Sequence, residues 1–275
     1  MEKEIPDRLT TLGHPQRLAL FRLLMRRYPN RLPAGEIAAV LGQKASTTSA
    51  YLSALQQVGL ITQERAGTSL LYSVDMTTVR QTFDFLFTDC GRGRPDLLSP
   101  AQGPIPMTDL KYNVLFICTG NSARSIFAET LLRHAGGDRF TVYSAGAKPK
   151  SELNPFAVDL LRSKGFDTSA LRAKNIQEFT QPGAPVFDFV FTVCDQAANE
   201  ECAAWSGQPI SGHWGVPDPV KATGTDAEKS LAFQAAYAAL KHRIEAFAAL
   251  PFGSLDRIAL QNAVDDIGRE KDLSK

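Results

Sequence analysis

No apolar run in this chain approaches 18 residues, which excludes a membrane-spanning helix of ordinary length. The opening Met-Glu-Lys-Glu-Ile-Pro lacks the apolar core of a secretory signal, so a cytoplasmic protein is expected. Cysteine is scarce: Cys90, Cys118, Cys194 and Cys202 are all that 275 residues contain. Four cysteines do not make a disulfide framework at this size, and in a reducing compartment they are expected to serve chemistry before structure. His134, His213 and His242 show no metal-ligand spacing and read as surface or packing residues, so neither a metal site nor a tightly bound cofactor is expected. Net charge is nearly absent, at +1, but unevenly placed. Residues 1–95 carry 12 Lys/Arg against 8 Asp/Glu, whereas residues 96–275 carry 18 against 21. A basic first part suits nucleic acid, and a slightly acidic second part suits a small-molecule site.

What is present is organised in two halves. Gly-Arg-Gly-Arg-Pro, Ser-Pro and Gly-Pro punctuate residues 91–110, which read as a linker between domains at 1–90 and 111–275. In the first half, helical periodicity covers 14–28, 33–41 and 46–58, with Gly42 as a break and Ser46 as the N-cap of the third helix. Two β-rich runs flank Ala66-Gly67-Thr68 as a hairpin, and 76–87 closes the unit as an amphipathic helix. Helix, short turn, helix and hairpin give a winged helix-turn-helix, mainly α with a β-wing. The third helix turns Ser46, Thr47, Ser49, Ala50 and Ser53 outward, where short side chains reach phosphates or base edges. Lys44, and Arg65 on the wing, add phosphate contacts, so operator DNA is the expected partner.

The most informative stretch is 114–125, Val-Leu-Phe-Ile-Cys-Thr-Gly-Asn-Ser-Ala-Arg-Ser. A buried-strand run ends at Cys118, six positions before Arg124, and a helix-like run follows Ser125. A strand-to-helix loop directs consecutive N–H groups of Thr119, Gly120, Asn121, Ser122 and Ala123 inward as a nest for a tetrahedral oxyanion. Arg124 offers a planar fork for two of its oxygens. Nest, helix N-terminus and guanidinium all favour the thiolate of Cys118, so a poised nucleophile is expected. Strand signals at 113–117, 140–144 and 187–193 alternate with helix signals at 125–135, 155–164, 175–179 and 227–249, and a further helix is read at 254–268. That alternation predicts an α/β domain on a parallel sheet, with the nucleophile at a strand's C-terminal end.

Two family resemblances follow from these motifs. Leu12-Gly13-His14-Pro15-Gln16-Arg17-Leu18 and Leu55-Gln56-Gln57-Val58-Gly59-Leu60-Ile61 resemble the ArsR/SmtB family of dimeric metalloregulators, over residues 6–88. The resemblance implies a repressor that is a homodimer through this domain. Residues 33–41 lack the cysteine cluster with which many relatives sense arsenite, and only Cys90 follows the last helix. The 114–125 segment resembles the active-site loop of the low-molecular-weight protein tyrosine phosphatase superfamily, and Cys-Thr-Gly-Asn-Ser is closer to its arsenate reductase branch. This implies a three-layer α/β domain of that type.

The second resemblance also implies roles. In Trp214-Gly215-Val216-Pro217-Asp218-Pro219, Asp218 matches the family's general acid. Val220 stands where phosphatases usually have a tyrosine that recognises aromatic substrates. Asn121 and Ser144 match positions that brace the anion loop, and Ser125 one that stabilises the Cys118 thiolate. Cys194, ending a strand, and Cys202, after the polar segment 195–201, resemble the second and third cysteines of thioredoxin-linked arsenate reductases, with a spacing one residue longer. The implied partners are arsenate and an external thiol reductant, thioredoxin or glutaredoxin with glutathione. Other readings stay open at this point. Cys118 alone can serve, with a small thiol or glutaredoxin completing the reaction. The domain can be a phosphatase acting on phosphate esters, because phosphate and arsenate are both tetrahedral oxyanions. The chain can also be a regulator that senses an oxyanion or oxidant without turnover.

Overall fold

A computed structural model describes residues 4–92, 111–200, 205 and 207–270, and the chain divides into two compact units, 1–103 and 104–275. The expected linker lies outside the described residues from 93 onward, and so does Cys202. Among the described residues no helix is long and apolar enough to cross a membrane.

The first unit runs α1 (Ile5–Leu12), α2 (Pro15–Arg27), β1 (Leu32–Pro33), α3 (Ala34–Leu41), α4 (Ala45–Gln57), β2 (Ile61–Ala66), β3 (Ser69–Val74) and α5 (Met76–Phe85). Gly42, at φ 62°, ends α3 by returning its N–H to Ala38 and Ala39 carbonyls, and this left-handed cap makes the turn into α4. Gly67, at φ 60°, closes the β2–β3 hairpin between the paired residues Ala66 and Ser69. β1 adds to the other edge of β3. Leu20, Leu24, Ile37, Leu52, Leu55 and Val79 meet in a common core.

Two details of this unit depart from the sequence reading. α1 was not foreseen, although Ile5, Leu9 and Leu12 fall at helical spacing. Its anchor is the buried Arg8, which donates to Val58 O (3.2 Å) and Thr82 Oγ1 (3.3 Å) and pairs with Glu4. Ser46 does not cap α4. Lys44 occupies the cap position in extended conformation without a side-chain bond, and Ser46 lies in the first turn. The buried Thr48, Leu52 and Leu55 set the helix face, and Thr48 N–H reaches Lys44 O at 3.0 Å, starting the helix one residue early.

The second unit runs β4 (Tyr112–Cys118), α6 (Arg124–Gly136), β5 (Phe140–Gly146), α7 (Pro155–Ser163), β6 (Phe189–Thr192), α8 (Asp195–Asn199), β7 (Ile210–His213), α9 (Asp226–Ala248) and α10 (Arg257–Arg269). Its strands form one parallel sheet in the order β5-β4-β6-β7. Successive side chains of a strand face opposite sides, so the unbroken burial of Val114 to Cys118 means that helices cover both faces. This is a three-layer α/β domain. Phe116, Phe189, Phe191, Trp214 and Phe247 stack and edge-pack through its centre.

β7 is the strand that the sequence concealed. It has four residues, and one is Gly212, which depresses any strand signal. The glycine is required by packing: a Cβ there would lie 2.7 Å from Val264 Cγ1 of α10 and 3.0 Å from the Phe191 ring. The helix signal at 175–179 resolves into a single 3-10 turn, Ile176–Phe179, closed by a capping box between Asn175 and Glu178.

Candidate active site

All four strands of the parallel sheet end at one edge, and the chemistry-bearing residues collect there. Cys118 ends β4, Cys194 follows β6 by two residues, and Asp218 follows β7 by five. The chain leaves β4 toward β5 and leaves the neighbouring β6 toward β7, so these connections diverge and open a crevice between the C-terminal ends of β4 and β6.

The loop after β4 is shaped by where its carbonyls go. Cys118 O accepts from Ala147 N–H (3.1 Å), Thr119 O from Lys148 (2.8 Å), Gly120 O from Lys150 (2.9 Å) and Ser122 O from Asn154 (2.9 Å). In a trans peptide the N–H points opposite its carbonyl. Tying these four carbonyls outward therefore turns the N–H groups of Thr119, Gly120, Asn121 and Ala123 to the other side. Asn121 N–H donates to Cys118 Sγ at 3.1 Å. Close approach of β5 beneath the loop needs Gly146, where a Cβ would lie 2.7 Å from Thr119 O. α6 then begins at Arg124 with no side-chain cap, leaving its first N–H groups toward the same nest.

Asn121 is buried at φ 44°, an αL conformation that asparagine tolerates better than most residues. Its side chain fixes the polarity of a hydrogen-bond chain. Asn121 Oδ1 accepts from Lys174 N–H (2.6 Å), so Nδ2 must be the donor to Ser144 Oγ and Ser125 Oγ, each at 2.8 Å. Ser144 donates onward to Glu129 Oε2 (2.5 Å), a carboxylate also held by Lys174 Nζ (2.9 Å) and Arg133 Nη2 (2.5 Å). Ser125 Oγ already accepts from Asn121, so its proton is free for Cys118 Sγ, 2.9 Å away. Ser125 and Ser144, singled out by the resemblance, are thus both bonded to Asn121. Glu129 and Lys174 were missed. The one available signal is a carboxylate in the middle of the buried and mostly apolar run from Ile126 to Leu131.

The expectation of a thiolate at Cys118 needs correcting. Burial pushes the Cys118 thiol up, the Ser125 hydroxyl pulls it down, Cys194 nearby pushes it up again, and the N–H groups of Asn121 and Ser125 pull it down. Burial outweighs the donors, because the sulfur sits at the floor of the loop, 3% exposed. The Ser125 contribution has a testable sign. Its donor stabilises the charged sulfur, so Ser125→Ala raises the pH midpoint of Cys118 alkylation by iodoacetate. At pH 7 the alkylation slows by roughly tenfold, the effect of losing one hydrogen bond to a charged group. A pH–rate profile of the two proteins checks this.

Arg124 is engaged on the far side of the crevice. Its Nη2 lies 2.9 Å from Asp218 Oδ2 and its Nη1 donates to Val216 O at 3.1 Å. Asp218 also caps the 3-10 turn Pro219–Lys221 through Val220 N–H (3.2 Å). Trp214, fully buried and donating to Val264 O, holds the base of this loop. Val220 is exposed. Cys194 is buried at the N-cap of α8, with Ala197 N–H 3.4 Å and Thr119 Oγ1 3.5 Å from its sulfur. Ile117 and Thr192 are paired in register, so Cys118 and Cys194 lie at the ends of neighbouring strands. Both are free thiols, as is the exposed Cys90 of the first unit.

His213 is more than a packing residue: it is buried, with Nδ1 2.8 Å from Thr192 Oγ1 and Nε2 3.1 Å from Asp195 Oδ1. In the first unit Ser46, Ser49, Ala50 and Ser53 are exposed along α4, Thr47 is half-buried, and Lys44 and Arg65 are exposed beside them and on β2.

A family model for low molecular weight phosphotyrosine protein phosphatase matches residues 113–259, more than half of the chain. The chain belongs to this phosphatase family. A second model, a helix-turn-helix domain, matches residues 12–64. Over the phosphatase-family unit, an arsenate reductase of Bacillus licheniformis is 38% identical across 138 residues, 50% of this chain and 96% of that protein. One from Halalkalibacterium halodurans is 39% identical across 136 residues, 49% of this chain and 94% of that protein. Among solved structures, an arsenate reductase from Archaeoglobus fulgidus is 20% identical, covering 50% of this chain and 99% of that one at a TM-score of 0.41. This protein therefore joins a helix-turn-helix unit to a phosphatase-family unit in one chain.

Proposed function

We propose that the second unit reduces arsenate to arsenite by thiol chemistry, and that the first binds operator DNA as an ArsR-type repressor. The observation that carries the enzymatic reading is Cys194. A second buried thiol beside the oxyanion loop is what a reductase needs and an ester hydrolase does not. Near-complete coverage of arsenate reductases at 38–39% identity supports it.

In this reading Cys118 passes its proton to an oxygen of the bound arsenate and the resulting thiolate attacks arsenic, while the loop N–H groups and Arg124 hold the oxygens and Asp218 gives a proton to the departing water. The Cys194 thiolate then attacks Cys118 sulfur. The sulfur–arsenic bond breaks, its electron pair stays on arsenic as arsenite leaves, and a Cys118–Cys194 disulfide forms. Cys202 attacks Cys194, frees Cys118, and leaves a Cys194–Cys202 disulfide for thioredoxin, or for glutaredoxin with glutathione. Steady-state arsenite release with each reductant, and with Cys118→Ser as control, tests this. Release that depends on Cys118 supports it; hydrolysis of an aryl phosphate without arsenate turnover favours the phosphatase.

For the first unit, the exposed polar face of α4 and the flanking Lys44 and Arg65 support DNA binding by a cytoplasmic homodimer formed through this unit. Lys44→Glu and Arg65→Glu are each expected to weaken operator binding and to lower the salt slope by about one counterion. Binding isotherms at several salt concentrations measure both. Having both units in one chain places production of the inducer beside the regulator. Equal induction kinetics from the fused protein and from separately expressed halves would contradict that.

A further inference from the structure

Cys194 lies between two residues whose side chains reach the same imidazole. Thr192, two positions before it, and Asp195, one after it, contact opposite nitrogens of His213 at 2.8 and 3.1 Å. The ring is 2% exposed at the end of β7, where His213 pairs in register with Thr192. A carboxylate only accepts, so Nε2 donates to Asp195. Nδ1 accepts from the Thr192 hydroxyl when the ring is neutral and donates to it when charged. One ring therefore clamps the backbone on both sides of Cys194. The arrangement also dictates Gly215, where a Cβ would lie 2.7 Å from Asp195 Oδ1 and 2.8 Å from His213 Nε2. Within the clamp, the Cys194 sulfur meets Ala197 N–H and the Thr119 hydroxyl, the latter on the oxyanion loop itself.

We propose that His213, acting through Thr192 and Asp195, is a positioning residue for Cys194 that sets the rate of sulfur–sulfur bond formation with Cys118. It leaves the oxyanion loop's own reactivity alone. This rests on the reading of Cys194 as the second thiol. The clamp holds the Cys194 sulfur against Thr119 of the loop that carries Cys118, and holding reactants in place converts an encounter into an intramolecular step.

The test uses the full chain carrying Cys90→Ser and Cys202→Ser, so that only Cys118 and Cys194 remain. Diamide is the oxidant: two thiols lose two protons and two electrons, the S–S bond forms, and the N=N bond of diamide takes up both hydrogens. The Cys118–Cys194 link is followed by peptide mass spectrometry. Iodoacetate alkylation of Cys118 is followed in parallel as the readout of the oxyanion loop. His213→Leu and Asp195→Ala are expected to slow disulfide formation by about tenfold or more, the scale on which misplacing a reacting group acts. His213→Gln, which keeps a buried donor, is expected to recover most of that rate. Alkylation should stay within about threefold of the parent throughout, since the Ser125 hydroxyl and the Asn121 N–H on the Cys118 sulfur are untouched. Should His213→Leu not fold, Asp195→Ala, with its largely exposed carboxylate, decides. Unchanged disulfide rates overturn the proposal, as does a parallel fall in both readouts, the mark of general damage. Because diamide replaces arsenate, slowed disulfide formation in the variants of a parent that itself fails to reduce arsenate would uphold the clamp and sink the arsenate reading.

Discussion

Cys194→Ser is expected to lower arsenite release by about three orders of magnitude or more while leaving Cys118 open to alkylation by iodoacetate. The substitution is nearly isosteric at a buried position, so packing around β6 and α8 is kept and stability changes little. The chemistry is not kept. After Cys118 has bonded to arsenic, the two electrons that make arsenite come from sulfur–sulfur bond formation, and a serine hydroxyl at neutral pH is no substitute for a thiolate. The variant is therefore expected to stall with arsenic on Cys118, a mass increment that intact-protein mass spectrometry resolves. Full turnover of Cys194→Ser with glutathione and glutaredoxin would show instead that an external thiol takes the second place.

Arg124→Lys retains the charge and loses the geometry. The guanidinium spans from Val216 O to Asp218 Oδ2 across the mouth of the loop, with contacts of 3.1 and 2.9 Å. An ammonium group has no planar fork, and cannot hold the aspartate loop and two oxyanion oxygens from one rigid plane. Removing one well-placed oxyanion donor costs roughly 10²–10³ in rate, and this substitution is expected to fall in that range for kcat/KM with arsenate. Competitive inhibition by inorganic phosphate should weaken in step, since both anions use the same donors. An unchanged phosphate inhibition constant would mean that Arg124 organises the Asp218 loop without touching the anion.

How far the sequence reveals this site depends on how local each part is. The oxyanion loop is one continuous segment, Cys118 to Ser125, whose roles follow from order along the chain, and its strand and helix neighbours are close in sequence. Asp218 is marked by flanking prolines. The supports are different in kind. The Glu129–Lys174 pair joins residues 45 positions apart, and the His213 clamp joins β7 to the turn after β6. Neither pairing is visible locally, even though Glu129 stands out within its buried run, and β7 itself was hidden by a glycine that α10 demands. The balance at Cys118 was misjudged because a sequence shows the donors but not the depth of burial that opposes them. In the first unit the hairpin and the α3–α4 turn were legible from Gly67 and Gly42. α1 was not, since a buried arginine anchors it.

The central claim is that Cys118 and Cys194 act as one two-electron couple toward arsenate. A single-turnover experiment tests it most directly: fully reduced protein bearing Cys90→Ser and Cys202→Ser, one equivalent of arsenate, no external reductant. The account predicts up to one arsenite per chain, with two thiols lost for each and a Cys118–Cys194 disulfide in the peptide map. Arsenate bound with no arsenite formed and both thiols intact would contradict it, and would leave an oxyanion-binding domain joined to a DNA-binding one.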